Sequence, residues 1–382
     1  METFGQCDAR FEPVRSALAE QLDSGAELGA SLVVDIDGKT VLDLWGGFHD
    51  EEKRAPWTED TITNVWSTSK TITNLAALVL VDRGQLDPFA PVAKYWPEFA
   101  ASGKEGVQVR HVLAHTSGVS GWEPPFPLRG LYDRERSTRL LAAQAPWWEP
   151  GTASGYHAVS QGHLVGELVR RITGKHLERF IAEEIAGPLG ADFQIGARES
   201  DGGRIAPVVP PPPLPFDVGS LAPDSPRFKT FTGPGMNAAA ANTPEWRRAE
   251  IGAANGHSNA RGVARIMKSI TLGGAVDGVR LVSPETIALI FQEQSHGKDL
   301  VLATNLRFGI GFALPETKTI PYIAPRGTGS RVCFWGGWGG SLIVMDTESR
   351  VTFSYVMNKM APGIIGSPRS QRYFEALQGC LR

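Results

Sequence analysis

The stretch that decides the reading is NVWSTSKTITN, residues 64–74, followed by the apolar run Leu75 to Val81. It sets Ser67 three positions before Lys70, at the start of a segment whose pattern predicts a helix over 69–82, ended by Gly84. That helix is apolar on nearly every side, so it belongs in the interior. Helical positions i and i+3 share a face. Lys70 therefore lies one turn in, its ammonium beside the Ser67 hydroxyl, and both sit at the helix end where the dipole potential is positive. That potential favours a developing alkoxide on Ser67 and disfavours the charged form of Lys70. Burial can lower a lysine several units from its ordinary pKa of about 10.4. A serine beside such a lysine is a nucleophile beside its base.

The spacing by itself is common, and the chain holds a second match, Ser295-His-Gly-Lys298. Its surroundings, FQEQSHGKDL, are polar and broken by Gly297, which predicts a solvated turn. A rival serine, Ser258 in Gly256-His257-Ser258-Asn259-Ala260, lies one residue from the nucleophile-elbow pattern. That elbow needs a strand before it and an acid and then a histidine after it. The preceding NTPEWRRAEIGAA is no strand, and the only later histidine is His296. Ser258 is expected instead to cap a helix over 258–272.

Composition narrows the function. The chain has 382 residues and a formal net charge of −3, with no dense Lys/Arg run, which argues against nucleic acid and anionic membrane surfaces as partners. Its longest apolar run falls far short of the ~20 residues a membrane span needs. The N-terminal METFGQCDARFEPVRSALAEQ carries charges throughout and does not read as a secretory signal. Cys7, Cys333 and Cys380 form neither a CxxC pair nor a disulfide framework, so a cytoplasmic protein is expected. The eight histidines form no metal-ligand cluster. His111 and His115 share an i, i+4 spacing without a carboxylate, which predicts a structural role. No cofactor is expected.

Residues 29–47 read as two strands joined at Asp37-Gly38. Helical patterns follow through 108–116, 136–144 and 158–190. Residues 200–245 change character: APVVPPPPLPFDV must run extended, as a disordered linker or as a loop folded over a cleft. VCFWGGWGG, SLIVMDTES and VTFSYVMNK then give three strands, and a terminal helix is predicted over 368–380. The order predicts an α+β fold, with the N-terminal hairpin and C-terminal strands in one antiparallel sheet flanked by helices and a mostly helical domain inserted. The expected division is 1–65 with 255–382, and 66–254 with a Pro-rich loop near 206–235.

Three pieces stand in order: Ser67-Thr-Ser-Lys70, SGYHAVSQGHLVGELV with Tyr156, and FWGGWGGS with Trp335-Gly336-Gly337. Together they resemble the serine β-lactamase and penicillin-binding-protein superfamily, most of all the class C β-lactamase-like carboxylesterases called family VIII esterases. VLAHTSGV (112–119) and GQLDPFAPVAKYWPEF (84–99) are similar to connecting segments of that superfamily, and the resemblance covers roughly residues 25–380. It implies an antiparallel sheet flanked by helices, with the site in a cleft beside the helical domain. It also implies Ser67 as nucleophile, Lys70 as its base, Tyr156 as proton shuttle, and the backbone N–H groups of Ser67 and Trp338 as oxyanion hole. His157, Trp335, Gly336 and Gly337 are implied on the substrate side, the glycine pair as a strand edge that substrate approaches closely. Ala158 stands where β-lactamases usually carry an asparagine, and Trp335 where they carry a lysine facing the drug's carboxylate. The expectation is a hydrolase of small-molecule esters that works through an acyl-Ser67 intermediate. An acyltransferase is the main alternative; a β-lactamase or D-amino-acid peptidase and a non-catalytic scaffold are further ones. Trp122, Phe126, Trp147 and Trp148 are either cleft lining or domain core.

Overall fold

The two ends of the chain build one sheet. In the computed structural model, which describes residues 1–213, 216–235, 237–323 and 331–381, Gly29–Ile36 and Lys39–Gly47 form the expected hairpin. Its turn residues Asp37 and Gly38 have φ of 53° and 82°, the left-handed values a two-residue hairpin loop requires. Val351–Met357 pairs with Gly29–Ile36, setting Phe353 opposite Val34, so the C-terminal strands join the N-terminal ones directly. The nine strands run Thr3–Cys7, Lys39–Gly47, Gly29–Ile36, Val351–Met357, Leu342–Asp346, Val332–Gly336, Ala313–Leu314, Asn305–Phe308 and Ser295–Lys298, each antiparallel to its neighbour.

Both faces of this sheet are covered, which explains why its central strands are apolar without alternation. Along Val351–Met357, Phe353 packs on Phe374 of the Pro368–Cys380 helix, ring centroids 5.3 Å apart. Its neighbour Thr352 points the other way and hydrogen-bonds Thr271 of the Ala260–Thr271 helix at 2.9 Å. All seven residues of the strand are buried.

Between the sheet's two halves runs the helical part of the chain. Ser69–Asp82 is its central helix, buried in every residue through Leu80. Ser160–Thr173 packs beside it, and Gln161 donates to the Asn74 side chain at 2.8 Å. A small sheet of Thr63–Asn64, Gly256–Ser258 and Phe193–Ile195 anchors the chain just before Ser67.

Several local expectations are corrected. The 158–190 pattern is broken: the first helix stops at Gly174, whose φ of 72° ends it, and Leu177–Ile181 starts a second. Ser295–Lys298 is an edge strand, not a turn. The i, i+3 relation of Ser295 and Lys298 therefore sets them on opposite faces. Ser258 lies in a strand and donates to the Asp192 carbonyl at 2.6 Å; Asn259 is the helix cap, accepting from the Gly262 N–H at 2.9 Å.

The Pro-rich passage is ordered on both sides of Leu214 and Pro215, which with Met236 lie outside the described residues. Val209 is stitched to the sheet's end through Asn358 and Met360, and the Pro226–Thr232 helix brings Thr230 and Phe231 back over a cleft. Trp122 and Phe126 stack on each other at 4.5 Å, both buried, so they belong to the core of the helical part.

Candidate active site

Ser67 occupies the turn between Thr63–Asn64 and the Ser69–Asp82 helix. The turn is held by the Val65 N–H on the Gly256 carbonyl at 2.8 Å and the Thr68 N–H on the Val65 carbonyl at 3.2 Å. Trp66 enters it with a φ of 51°, a conformation rarely adopted by a bulky residue. Its indole is wedged between Trp246 and Trp338, with centroids at 5.5 and 5.2 Å. Ser67 is therefore presented from a backbone that aromatic packing holds in place.

Lys70, fully buried, sends Nζ to three oxygens: Ser67 Oγ at 3.1 Å, the Ala158 carbonyl at 2.8 Å and the Ala253 carbonyl at 3.0 Å. It also lies 4.7 Å from the centre of the Tyr156 ring. Burial, with no carboxylate to offset it, drives the lysine's pKa well down. A neutral amine has two N–H donors and one lone pair. The carbonyls can only accept, so they take both donors and leave the lone pair facing the Ser67 hydroxyl.

Tyr156 is the next group over. Its backbone N–H donates to Asp299 Oδ1 at 3.1 Å, and the same oxygen accepts from the Val301 and Leu302 N–H groups at 2.9 and 2.8 Å. Its phenol oxygen accepts from the Trp335 indole N–H at 3.2 Å. Burial pushes the phenol's pKa up strongly, while Ser67 and Trp335 pull it back. His115 packs edge-on against the Tyr156 ring at 4.9 Å.

Other expected site residues are placed differently. His157 is fully buried away from the cleft: Nδ1 lies 2.7 Å from the Gly155 carbonyl and Nε2 lies 2.6 Å from Ser117 Oγ. Since a carbonyl only accepts, Nδ1 carries the proton and Nε2 accepts from Ser117; burial lowers the imidazole's pKa to about 3, so it stays neutral. His157 supports the floor under Tyr156 and does not reach substrate. Trp335 is also buried and meets Tyr156 rather than the cleft. Gly336 and Gly337 answer to close packing within the protein. A Cβ on Gly337 would run into the Val65 carbonyl and the Ser341 hydroxyl, and one on Gly336 would press on the Ser341 carbonyl. The glycine pair lets the Val332–Gly336 strand close on the Ser67 turn, correcting the expectation of substrate there.

The backbone N–H groups of Ser67 and Trp338 have no acceptor among the described residues, whereas those of Thr68, Ser69, Gly337 and Gly339 do. Both residues border a cavity of about 620 Å³, counting its open mouth. Its walls include Trp66, Leu131, Val159, Phe231, Trp246 and Trp338, with Tyr156, Thr230 and Asn237 as polar residues beside Ser67; among the described residues no charged one lines it. Trp147 and Trp148 are not among the lining residues. Asp299, the anchor of Tyr156, went unnoticed in the sequence, where it sits in the polar GKDL. The Ala158 and Ala253 carbonyls carry no side-chain signal at all. Among the described residues there is no group of side chains arranged to hold a metal ion and no helix long and apolar enough to cross a membrane.

Comparison with known proteins agrees with this fold. The profile of the beta-lactamase family matches residues 14–378. The chain is 33% identical to "Esterase/beta-lactamase LipL" of Mycobacterium tuberculosis, over 95% of this chain and 84% of that protein. Among solved structures, a family VIII carboxylesterase superposes with a TM-score of 0.92 at 38% identity, covering all of both chains. A penicillin-binding-protein homologue from Caulobacter crescentus gives 0.90 at 36% identity, again over all of both chains.

Proposed function

The chain belongs to the beta-lactamase family, and from that premise we propose that it is a carboxylesterase acting on neutral small-molecule esters through an acyl-Ser67 intermediate. The observation that carries this reading is Lys70: Nζ meets the Ala158 and Ala253 carbonyls and Ser67 Oγ, an arrangement in which a neutral amine turns its lone pair to Ser67, beside a cavity whose described lining carries no charge.

The chemistry follows from the geometry. Lys70 takes the Ser67 proton as Oγ attacks the ester carbonyl carbon. The Ser67 and Trp338 N–H groups, otherwise unused, hold the oxyanion that forms. Collapse of the tetrahedral intermediate breaks the bond to the alkoxy oxygen, which leaves with a proton passed through Lys70 and Tyr156. Water then enters, loses its proton to the same pair, and releases the acid and free Ser67. Tyr156 connects the lysine side to the departing group, while Trp335 and Asp299 hold it in position.

Neutral esters are favoured over β-lactams and carboxylate-bearing peptides for a stated reason. With Trp335 turned to Tyr156 and Ala158 contributing only a methyl group, neither of these two positions offers a β-lactam the cation or side-chain amide that β-lactamases usually place there, although Asn237 brings an amide to another part of the wall. Hydrogen bonds to charged groups contribute about 1.5–3 kcal/mol each, so two missing partners cost on the order of a hundredfold or more. The three cysteines are free thiols, which supports a reducing, cytoplasmic setting.

Intact-mass measurement after mixing with p-nitrophenyl butyrate should show one butyryl adduct, lost in Ser67→Ala and discharged faster when an alcohol is added if transfer competes with hydrolysis. A chromogenic cephalosporin should be turned over far more slowly than the butyrate ester. Acylation persisting in Ser67→Ala, or a cephalosporin kcat/KM equal to the ester's, overturns the proposal.

A further inference from the structure

A second cavity lies outside the catalytic cleft, about 750 Å³ including its open mouth. It is bounded by Arg179, Arg198, Arg247 and Arg248, with Glu178 as the lining carboxylate. Two of the arginines are already engaged: Arg179 pairs with Glu183 at 2.7 Å and Arg248 with Glu199 at 3.3 Å. The other two differ. Arg198 makes no ion pair or side-chain hydrogen bond among the described residues, and neither does Arg247. Arg247 is half-buried, and its Nε is shut off from water with no acceptor. A guanidinium brings five donors and no acceptor, and leaving a shielded one without a partner is unfavourable.

Among the other shielded arginines, Arg227 also has an Nε without an acceptor but lies 4.0 Å over the Phe216 ring, whereas Arg369 and Arg204 are satisfied. Arg369 reaches Glu27 and three carbonyls, and Arg204 holds Asp192 and Asp201. Arg247 and the exposed Arg198 are thus the two arginines of this cavity without an ion pair among the described residues, Asp201 acting on Arg198 only at a distance. The backbone beneath it is fixed: the Ala197 N–H donates to the Arg247 carbonyl at 2.6 Å, and the Gly196 N–H to the Asn255 carbonyl at 2.9 Å. The backbone that carries both arginines is therefore held in place, and ordering on binding is confined to their side chains.

We propose that this cavity binds a phosphate group, held by the Arg198 and Arg247 guanidiniums, as free phosphate or as a phosphomonoester. Planar, delocalised guanidiniums match the oxygens of such an anion two at a time. The doubly charged phosphate also outweighs the repulsion from Glu178. The site is independent of the acyl-Ser67 reading: Arg247 follows Trp246, a wall of the catalytic cleft, but none of the four arginines lines that cleft.

The test is titration of the full-length protein with inorganic phosphate and, separately, with glycerol 3-phosphate, at ionic strength held constant with chloride. Thermal stability and phosphorus NMR linewidth are the readouts. Saturable stabilisation and line broadening are expected, with affinity weakened about tenfold or more in Arg198→Gln/Arg247→Gln. Lys39→Gln/Lys318→Gln, which removes the same charge from exposed positions elsewhere, should bind as the unaltered protein does. The tighter of the two probes identifies the source of the phosphate. The altered arginine side chains make no internal hydrogen bonds, so the double variant should fold, which circular dichroism checks. No saturable effect with either probe, or equal binding by both double variants, overturns the proposal.

Discussion

Replacing Trp335 by phenylalanine tests whether the indole tunes Tyr156, the proposed proton shuttle, or merely packs beside it. The structure gives the bond to be removed: the indole nitrogen lies 3.2 Å from the Tyr156 oxygen, and the two ring centroids lie 5.2 Å apart, a packing contact that a phenylalanine ring can keep in part. Burial raises the phenol's pKa, and this donor opposes that rise. To a neutral phenol such a bond contributes about 0.5–1.5 kcal/mol; to a phenolate, about 1.5–3. The difference is what Trp335 supplies to the deprotonated form, on the order of 1 kcal/mol or somewhat more. At 1.36 kcal/mol per unit, removal should raise the effective pKa of Tyr156 by about one unit. The sign is fixed: losing a donor to the phenolate moves any limb that tracks tyrosine deprotonation toward alkaline pH. The assay is kcat/KM for an unactivated butyrate ester across pH, beside the same profile for the unaltered enzyme. A loss of about tenfold near neutral pH is expected, recovered in part at higher pH, with KM little changed because Trp335 does not line the cleft. A uniform loss at all pH values, or a profile that does not move, would refute the reasoning and leave Trp335 a packing residue.

Lys70→Ala should cost about 10²–10⁴-fold in kcat/KM on an unactivated ester; a loss under tenfold would make the lysine structural. Gly337→Ala should lower thermal stability by about 1–3 kcal/mol and cut activity with it, because the new methyl must push the Val65 carbonyl and thus the Ser67 turn; unchanged stability and rate would mean the strand and turn are not in close register. Glu250, pushed up to about 7 chiefly by burial, prefers its proton in the folded state, so it withdraws stability as pH rises from the ordinary carboxyl range through about 7. Glu250→Gln keeps an acceptor for the Glu178 N–H and should add about 2–3 kcal/mol near pH 8 and nothing near pH 4; equal effects at both pH values in urea unfolding would show that the carboxyl is not neutral when folded.

The fold was legible where pattern is local and strong. The Asp37-Gly38 hairpin, the Ser69–Asp82 helix and the Pro368–Cys380 helix each carry their own punctuation: a turn dipeptide, an apolar run closed by glycine, a capping serine before proline. The sheet's closure was legible because the chain's two ends alone offered β-branched runs. What failed was short and polar. SHGK has no strand signature, and pairs at the sheet's rim because Asn305–Phe308 presents an open edge to it. Asn259 took the cap expected of Ser258 because Ser258 is held one residue earlier in the small sheet, bonded to Asp192.

In the candidate site, Ser67, Lys70 and Tyr156 come together as expected, while residues around them are placed otherwise than expected. His157 and Trp335 were expected on the substrate side because the family resemblance puts their positions there. In the structure both turn inward, and the reason lies in valence rather than in sequence. Lys70 needs two acceptors if its lone pair is to reach Ser67, and they come from the carbonyls of Ala158 and Ala253, on segments far apart in the chain. Holding Ala158 there fixes the backbone around Tyr156, which in turn requires Asp299 on one side and His157 bonded to Ser117 on the other. The orientation of the Lys70 amine is therefore set by backbone oxygens of residues whose side chain is only a methyl group, while burial lowers its pKa. Substitutions that tune it should be sought at the residues that hold those two carbonyls, with Ser117, His157 and Asp299 first among them.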